Sequence, residues 1–243
     1  MAIVLNCDMG EAYGLYRCGD DEGIMPLIHV ANVACGFHAS DPTVIRRTVR
    51  LAKRHGVKVG AHPSFPDLQG FGRREIKMGH DELVACIIYQ VGALQAFLDA
   101  EGMALNHIKP HGALYGVASR DPAVAEAIAE AVRVFGVPVM GMAGTVHETI
   151  YTGRGLAFIP EYYTDLDYTD NGKLIITREH EATDPAEAAR RAVRVAREGT
   201  ATSVNGKSFP MKAECFCIHS DTPTAVPLAQ AVREALRPWL VAA

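Results

Sequence analysis

Seven short apolar runs punctuate the chain, at 3–7, 30–34, 57–60, 105–108, 137–140, 156–159 and 214–218. Aliphatic, β-branched and small residues dominate them, as in strands buried on both faces of a parallel sheet. Longer stretches with helix start signals lie between them. Asp41-Pro42, Asp121-Pro122, Asp184-Pro185 and Thr222-Pro223 each set a capping side chain before a proline at the first helical position. There the missing N–H costs nothing and the fixed φ suits the first turn. Glu187, three residues after Asp184, adds an aspartate version of the capping box. Gly56, Gly102, Gly136 and Gly199 fall where these helices should stop.

Strands alternating with helices fit either an open doubly wound sheet or a closed barrel. The first strand is followed by Gly10-Glu-Ala-Tyr-Gly14 rather than a G-x-G-x-x-G loop, which leaves a dinucleotide fold without support. Nearly every predicted strand ends in an acid, a histidine or a lysine, the way barrels build a site at their C-terminal face. The expectation is an α/β fold: an incomplete seven-stranded (β/α) barrel forming a single domain over 1–243. An inserted hairpin or lid is expected at 162–180, around an Asn171-Gly172 turn and a strand at 173–177. Segments 116–120 and 199–210 read as loops.

A chain of 243 residues can bury one large core, and 49% hydrophobic with 21% charged residues is ordinary for a globular domain. The net charge of -4 gives no basic footprint for nucleic acid or an anionic membrane, so a small-molecule ligand is expected. No apolar run reads as long enough to span a bilayer, and the apolar start is too short for a signal peptide. The six cysteines are scattered without a C-x-x-C pair, as buried thiols in the reducing cytoplasm would be.

Candidate chemistry gathers at the strand ends. Asp8 and Glu11 follow the first strand and suit acid–base work or a divalent metal, although either carboxylate could simply cap a turn. His38 ends the second strand segment and His62 the third. With Asp8 they make a metal set of three protein ligands, while a lone histidine is more often structural. Lys109-Pro-His111-Gly-Ala-Leu-Tyr115 is the densest cluster, an amine for an anion beside an imidazole for protons. His219-Ser-Asp221 closes the last strand, where Asp221 can serve as base or ligand. Ser220 lacks a G-x-S-x-G context. Arg73 and Arg74 end a glycine-punctuated loop and can grip a carboxylate or face solvent.

These stretches, in order from Leu5-Asn-Cys-Asp-Met-Gly-Glu11 through Ala31–Pro42, Gly60-Ala-His-Pro63, Pro66–Arg74, Lys109–Tyr115 and the His219/Asp221/Pro223 segment, resemble the LamB/YcsF family. Its described members are A subunits of bacterial 5-oxoprolinase. The resemblance implies a barrel of the glycoside hydrolase/deacetylase-like type and ATP-dependent opening of 5-oxo-L-proline to L-glutamate. It also implies ATP with Mg as its counter-ion, partner B and C subunits, and a cytoplasmic setting; homo-oligomerisation is a further expectation. On the matching positions, Asp8, Glu11, Lys109, His111 and Asp221 would be catalytic. Asn32, Arg73, Arg74, Tyr115, Glu161 and His219 would bind substrate. Two other readings remain: a metal-dependent deacetylase of an acetylated sugar, and a non-catalytic substrate-binding subunit. One departure stands out. Family members usually carry Glu-Val-Phe-Ala-Asp-Arg where this chain has Glu161-Tyr-Tyr-Thr-Asp-Leu166, so another lactam or a hydantoin-like ring is a credible substrate.

Overall fold

The computed structural model describes residues 2–177 and 182–241. Nine strands, β1 (Val4–Met9), β2 (Val30–Ala34), β3 (Lys58–His62), β4 (Leu105–Ile108), β5 (Val139–Gly141), β6 (Phe158–Tyr163), β7 (Thr200–Thr202), β8 (Ser208–Pro210) and β9 (Cys215–His219), alternate with eight α-helices. The helices are α1 (Asp21–Ile24), α2 (Pro42–His55), α3 (His80–Ala100), α4 (Gly112–Ala118), α5 (Pro122–Phe135), α6 (Val146–Gly153), α7 (Pro185–Glu198) and α8 (Ala225–Leu236). Strands β1 to β6 and β9 form one closed barrel, every pair parallel. The expected seven strands are all present. The ring is closed rather than open, and its weakest seam is β4–β5, where only Ile108 and Val139 pair.

Alternation along the strands separates two kinds of interior. Outward-facing Leu5, Cys7 and Met9 join the large core between barrel and helices. Inward-facing Val4, Val30, Met140, Ile159 and Cys215 form a small separate cluster at the foot of the barrel. Continuing inward two residues at a time, the apolar foot gives way to Asn6 and Asp8 on β1, Asn32 on β2 and Glu161 on β6. The sequence thus fills the barrel with a polar stack standing on an apolar plug.

The helix starts follow from their caps. Asp41, Asp121 and Asp184 each accept a backbone N–H from the first turn, with proline behind them, and Gly56, Gly136 and Gly199 end those helices in the left-handed region. Glu187 does not close the capping box; its two oxygens are taken by Arg190 and Arg191. The last helix begins two residues later than Thr222-Pro223 indicates, with Thr224 at its cap.

Three further expectations are corrected. Segment 199–210 is not a plain loop: β7 and β8 pair antiparallel, three residues each, too short for sequence periodicity to register. In the 162–180 segment a turn does form at Asn171-Gly172, closed by the Tyr168–Leu174 bridge, but no regular strand continues over 173–177. Residues 178–180 lie outside the described residues. Helix α3, with a mean hydropathy of 1.6, is long and apolar enough to cross a membrane by length and composition. Here its buried Leu83, Ile87, Val91, Leu94 and Leu98 face the barrel core, and its buried Gln90 exchanges two hydrogen bonds with the Ser64 backbone after β3. It is a wall of the fold.

Candidate active site

The polar stack begins with Asn6, Asn32, His107 and Glu161. Asn32 Nδ2 donates to Asn6 Oδ1 at 2.6 Å and to Asp8 Oδ1 at 2.7 Å, while Asn6 Nδ2 donates to Glu161 Oε1 at 3.0 Å. His107 Nε2 reaches Asn32 Oδ1 at 2.8 Å. A Cβ on Gly60, opposite Asn32 on β3, would stand 1.9 Å from the His107 ring, so this position requires glycine. Burial holds His107 down to about 3, which leaves it a neutral donor in the stack.

Asp8 and Lys109 form the next level. Lys109 Nζ lies 3.0 Å from Asp8 Oδ1 and 2.9 Å from Glu161 Oε1, and all three side chains are buried. Burial alone would raise the Asp8 carboxyl, but His62 and Lys109 outweigh it and hold it well below the usual range. Burial alone would lower the Lys109 ammonium; Asp8 foremost among its neighbours reverses that and keeps it charged. Asp8 is therefore a fixed anion and Lys109 a fixed cation near neutrality.

Above them the imidazoles converge. His62 Nε2 is 3.1 Å from Asp8 Oδ2 and 3.0 Å from His111 Nδ1. His38 Nε2 meets Glu11 Oε1 at 3.0 Å, and its ring stacks on His111 at 3.8 Å between centroids. Burial pushes the Glu11 carboxyl up, with Asp8 and Asp221 adding to it. Burial, then the neighbouring imidazoles, pushes His38 and His111 down.

Across the mouth His219 Nδ1 lies 2.9 Å from Asp165 Oδ1, and its Nε2 lies 3.6 Å from Asp8 Oδ2. Burial alone would lower His219, but the Asp165 carboxylate outweighs it and raises the imidazole above its ordinary value. The sign is fixed by that direction. The stability His219 contributes is complete below its unfolded pKa and is lost as pH rises through the higher folded one. Asp165→Asn is expected to move the His219 titration, followed by NMR of the ring protons, downward by one unit or more. An unchanged midpoint would contradict the pairing.

These groups ring a cavity of about 30 Å³, room for roughly two or three waters. Asp8, His62, Lys109, His111, Tyr115 and His219 line one side, with Arg73; Leu166, Leu174 and Ile176 of the 162–177 stretch close the other. The residue that departs from the family pattern, Leu166, thus stands in the mouth itself.

Several sequence assignments change place. Asn32 and Glu161 lie beneath the cavity, bonded to Asp8 and Lys109, and are positioning groups rather than substrate contacts. Arg74 turns away: its guanidinium holds the buried carboxylate of Asp67. Arg73 stays in the mouth with its guanidinium 2.7 Å from Asp221. The expected metal trio also shifts. The ring nitrogens of His38 and His62 converge with Glu11 and His111, while Asp8 gives Oδ1 to Lys109 and Asn32 and keeps Oδ2 3.1 Å from His62 Nε2. Sequence reasoning gives no role to Asn6, His107 or Asp165. The first two are legible in principle, since Asn6/Asp8 and His107/Lys109 are polar pairs two apart in apolar strands.

The LamB/YcsF family model matches residues 3–241. The lactam utilization protein lamB of Emericella nidulans is 46% identical over 235 residues, covering 95% of this chain and 92% of that one. The A subunit of 5-oxoprolinase from Thermus thermophilus is 49% identical over 240 residues, covering 97% and 96%. The crystal structure of a lactam utilization protein from Thermus thermophilus superposes with a TM-score of 0.91 at 48% identity, covering 98% of this chain and 97% of its own. A match across nearly the whole length, at this identity and on the same closed barrel, means that the chain belongs to the LamB/YcsF family.

Proposed function

We propose that this chain is the A component of an ATP-dependent 5-oxoprolinase and that the lactam is opened in the barrel mouth. The observation that carries the reading is the pairing of a fixed cation and a fixed anion, Lys109 and Asp8, with the Asp165–His219 couple across the small mouth cavity. A lactam amide needs three things: charge stabilisation at its oxygen, a directed water, and a proton for the departing ring nitrogen. Lys109 supplies the first from a water-poor site, where a fixed charge acts strongly. Asp8 is held too far below neutrality to be a strong base, so it orients water and the neighbouring imidazoles. His219, made more basic by Asp165, takes the water's proton and delivers it to the departing ring nitrogen.

ATP, when bound, would activate the carbonyl oxygen so that water attack becomes feasible. The mouth cavity alone holds neither a nucleotide nor a whole lactam, so both would extend into the space beside it, and the chain carries no G-x-x-x-x-G-K-[ST] loop. A cleft of about 740 Å³ adjoins it, sharing Arg73, Leu174 and Ile176 with the mouth and lined also by Lys173 and by Arg120, which pairs with Glu75 in the same lining. Its size and cationic side chains fit a polyphosphate, with Mg as its counter-ion and the B and C subunits completing the enzyme.

The apolar side of the mouth, Leu166 with Leu174 and Ile176, favours a second substrate reading within the same chemistry: a cyclic amide without a carboxylate, such as a hydantoin-like ring. The test is the chain reconstituted with candidate B and C subunits and assayed with ATP on 5-oxoproline and on a panel of lactams and hydantoins. Glutamate formation that needs all subunits and ATP is expected. Acetate release from an acetylated sugar without ATP would replace the reading with the deacetylase. Ligand binding with no turnover of any cyclic amide would replace it with the non-catalytic subunit.

A further inference from the structure

Glu11, His38, His62 and His111 meet beside the mouth, each offering one ligand atom within 4.8 Å of the others. All four residues are buried. Glu11–His38 and His62–His111 are both 3.0 Å apart, and Glu11–His111 is 3.5 Å. Bonds of 2.0–2.1 Å to a tetrahedral ion imply edges of about 3.4 Å, so these three pairs already stand near that spacing.

The far sides of the rings set the tautomers. His62 Nδ1 lies 2.7 Å from the Lys109 carbonyl oxygen, and His111 Nε2 lies 2.8 Å from that of Phe71. A carbonyl oxygen only accepts, so both of these nitrogens carry hydrogen. His62 Nε2 then stands 3.0 Å from the lone pair of His111 Nδ1 and 3.1 Å from Asp8 Oδ2, a position that calls for a cation, a proton or a metal ion. An imidazole whose other nitrogen donates to a backbone carbonyl is the outer-shell arrangement of metal-bound histidine. Of the three rings, His38 alone lacks such a partner, at its Nδ1. The backbone is bent to provide it for His111: Phe71 has φ of 55° and Gly72 of 66°. A Cβ on Gly72 would come within 2.8 Å of both His38 and His111.

A second trio, Asp8, Cys217 and His219, also lies close together. It already has its cation, since Lys109 Nζ is 3.0 Å from Asp8 and 3.1 Å from Cys217 Sγ.

We propose that Glu11, His38, His62 and His111 bind one divalent transition-metal ion of the zinc class. Three imidazoles and one carboxylate suit Zn²⁺ or Co²⁺ and do not suit Mg²⁺, which takes oxygen ligands and keeps its waters. The site is therefore distinct from the Mg that would accompany ATP, and it does not rest on the lactam reading.

The test uses the full-length, untagged chain, stripped with chelator and dialysed against Zn²⁺ or Co²⁺. One equivalent per chain by elemental analysis is expected, with the intense visible absorption of cobalt in a tetrahedral field. Glu11→Gln and His38→Ala are each expected to weaken Zn²⁺ binding at least tenfold by competition with a chelating dye, while His80→Ala, on an exposed histidine, leaves it unchanged. Should the variants fold poorly, the wild-type chain still decides. Zn²⁺ must raise its melting temperature and shift the ring signals of all three histidines. Stoichiometry well below one, or binding indifferent to Glu11 and His38, would overturn the proposal. Metal binding is read without the lactam assay, so loss of either idea leaves the other standing.

Discussion

Asp8→Asn is expected to lower 5-oxoproline cleavage by the reconstituted complex by about a hundred- to ten-thousand-fold, with the barrel still folded. Asparagine preserves the shape of the side chain, and Lys109 keeps Glu161 at 2.9 Å, so no buried cation is stranded. What disappears is the fixed anion that His62 and His219 face at 3.1 and 3.6 Å. The loss should fall on kcat rather than KM, because Asp8 acts on water and protons more than on substrate affinity. Far-UV circular dichroism and the melting temperature serve as the folding control. Turnover within a factor of two of the wild type would remove Asp8 from the mechanism.

Lys109→Met makes the opposite kind of lesion. It is expected to cost about 3–5 kcal/mol in urea unfolding, the usual penalty for breaking a buried ion pair from one side. Asp8 and Glu161 would be left buried, anionic and without the ammonium that lies about 3 Å from each. The Asp8 carboxyl would then rise, because Lys109 is one of the charges that hold it down against burial. A raised carboxyl contributes stability below its unfolded pKa and loses it as pH climbs, so the deficit should be largest at neutral pH and shrink toward pH 4. Adding Glu161→Gln should restore about 1–3 kcal/mol, because the second change removes one stranded charge. A single-variant cost under 1 kcal/mol would mean that the network is far less desolvated than its burial indicates.

Much of this architecture can be read along the chain, for identifiable reasons. The Asp-Pro starts at 41, 121 and 184 and the glycine stops at 56, 136 and 199 use local chemistry, which a sequence displays directly. The convergence of Asp8, His38, His62 and Lys109 follows from a single rule, that parallel barrels present their strand ends together. What escapes depends on contacts between distant positions. Nothing local distinguishes Arg73, which turns into the mouth, from Arg74, which turns to Asp67. Glu11 and Asp8 are near neighbours in the chain, yet only the path of the backbone after β1 sends one to His38 and the other to Lys109. The need for glycine at position 60 arises from a ring on the next strand. The β7–β8 hairpin escapes because Thr200–Thr202 and Ser208–Pro210 are too brief to show a period.

The way the ring closes has a consequence for biosynthesis. Strand β1 is flanked by β9, and the Asp8 carbonyl accepts a hydrogen bond from Ser220, 212 residues further along. A nascent chain still on the ribosome therefore has its first acidic strand without its last neighbour, and the mouth still lacks His219. Such long-range pairing slows folding, since distant ends must meet before any stabilising contact forms. It also acts as a proofreading of completeness: a prematurely terminated chain lacks His219 and the closing seam together, and so cannot display a partly working pocket to its partners.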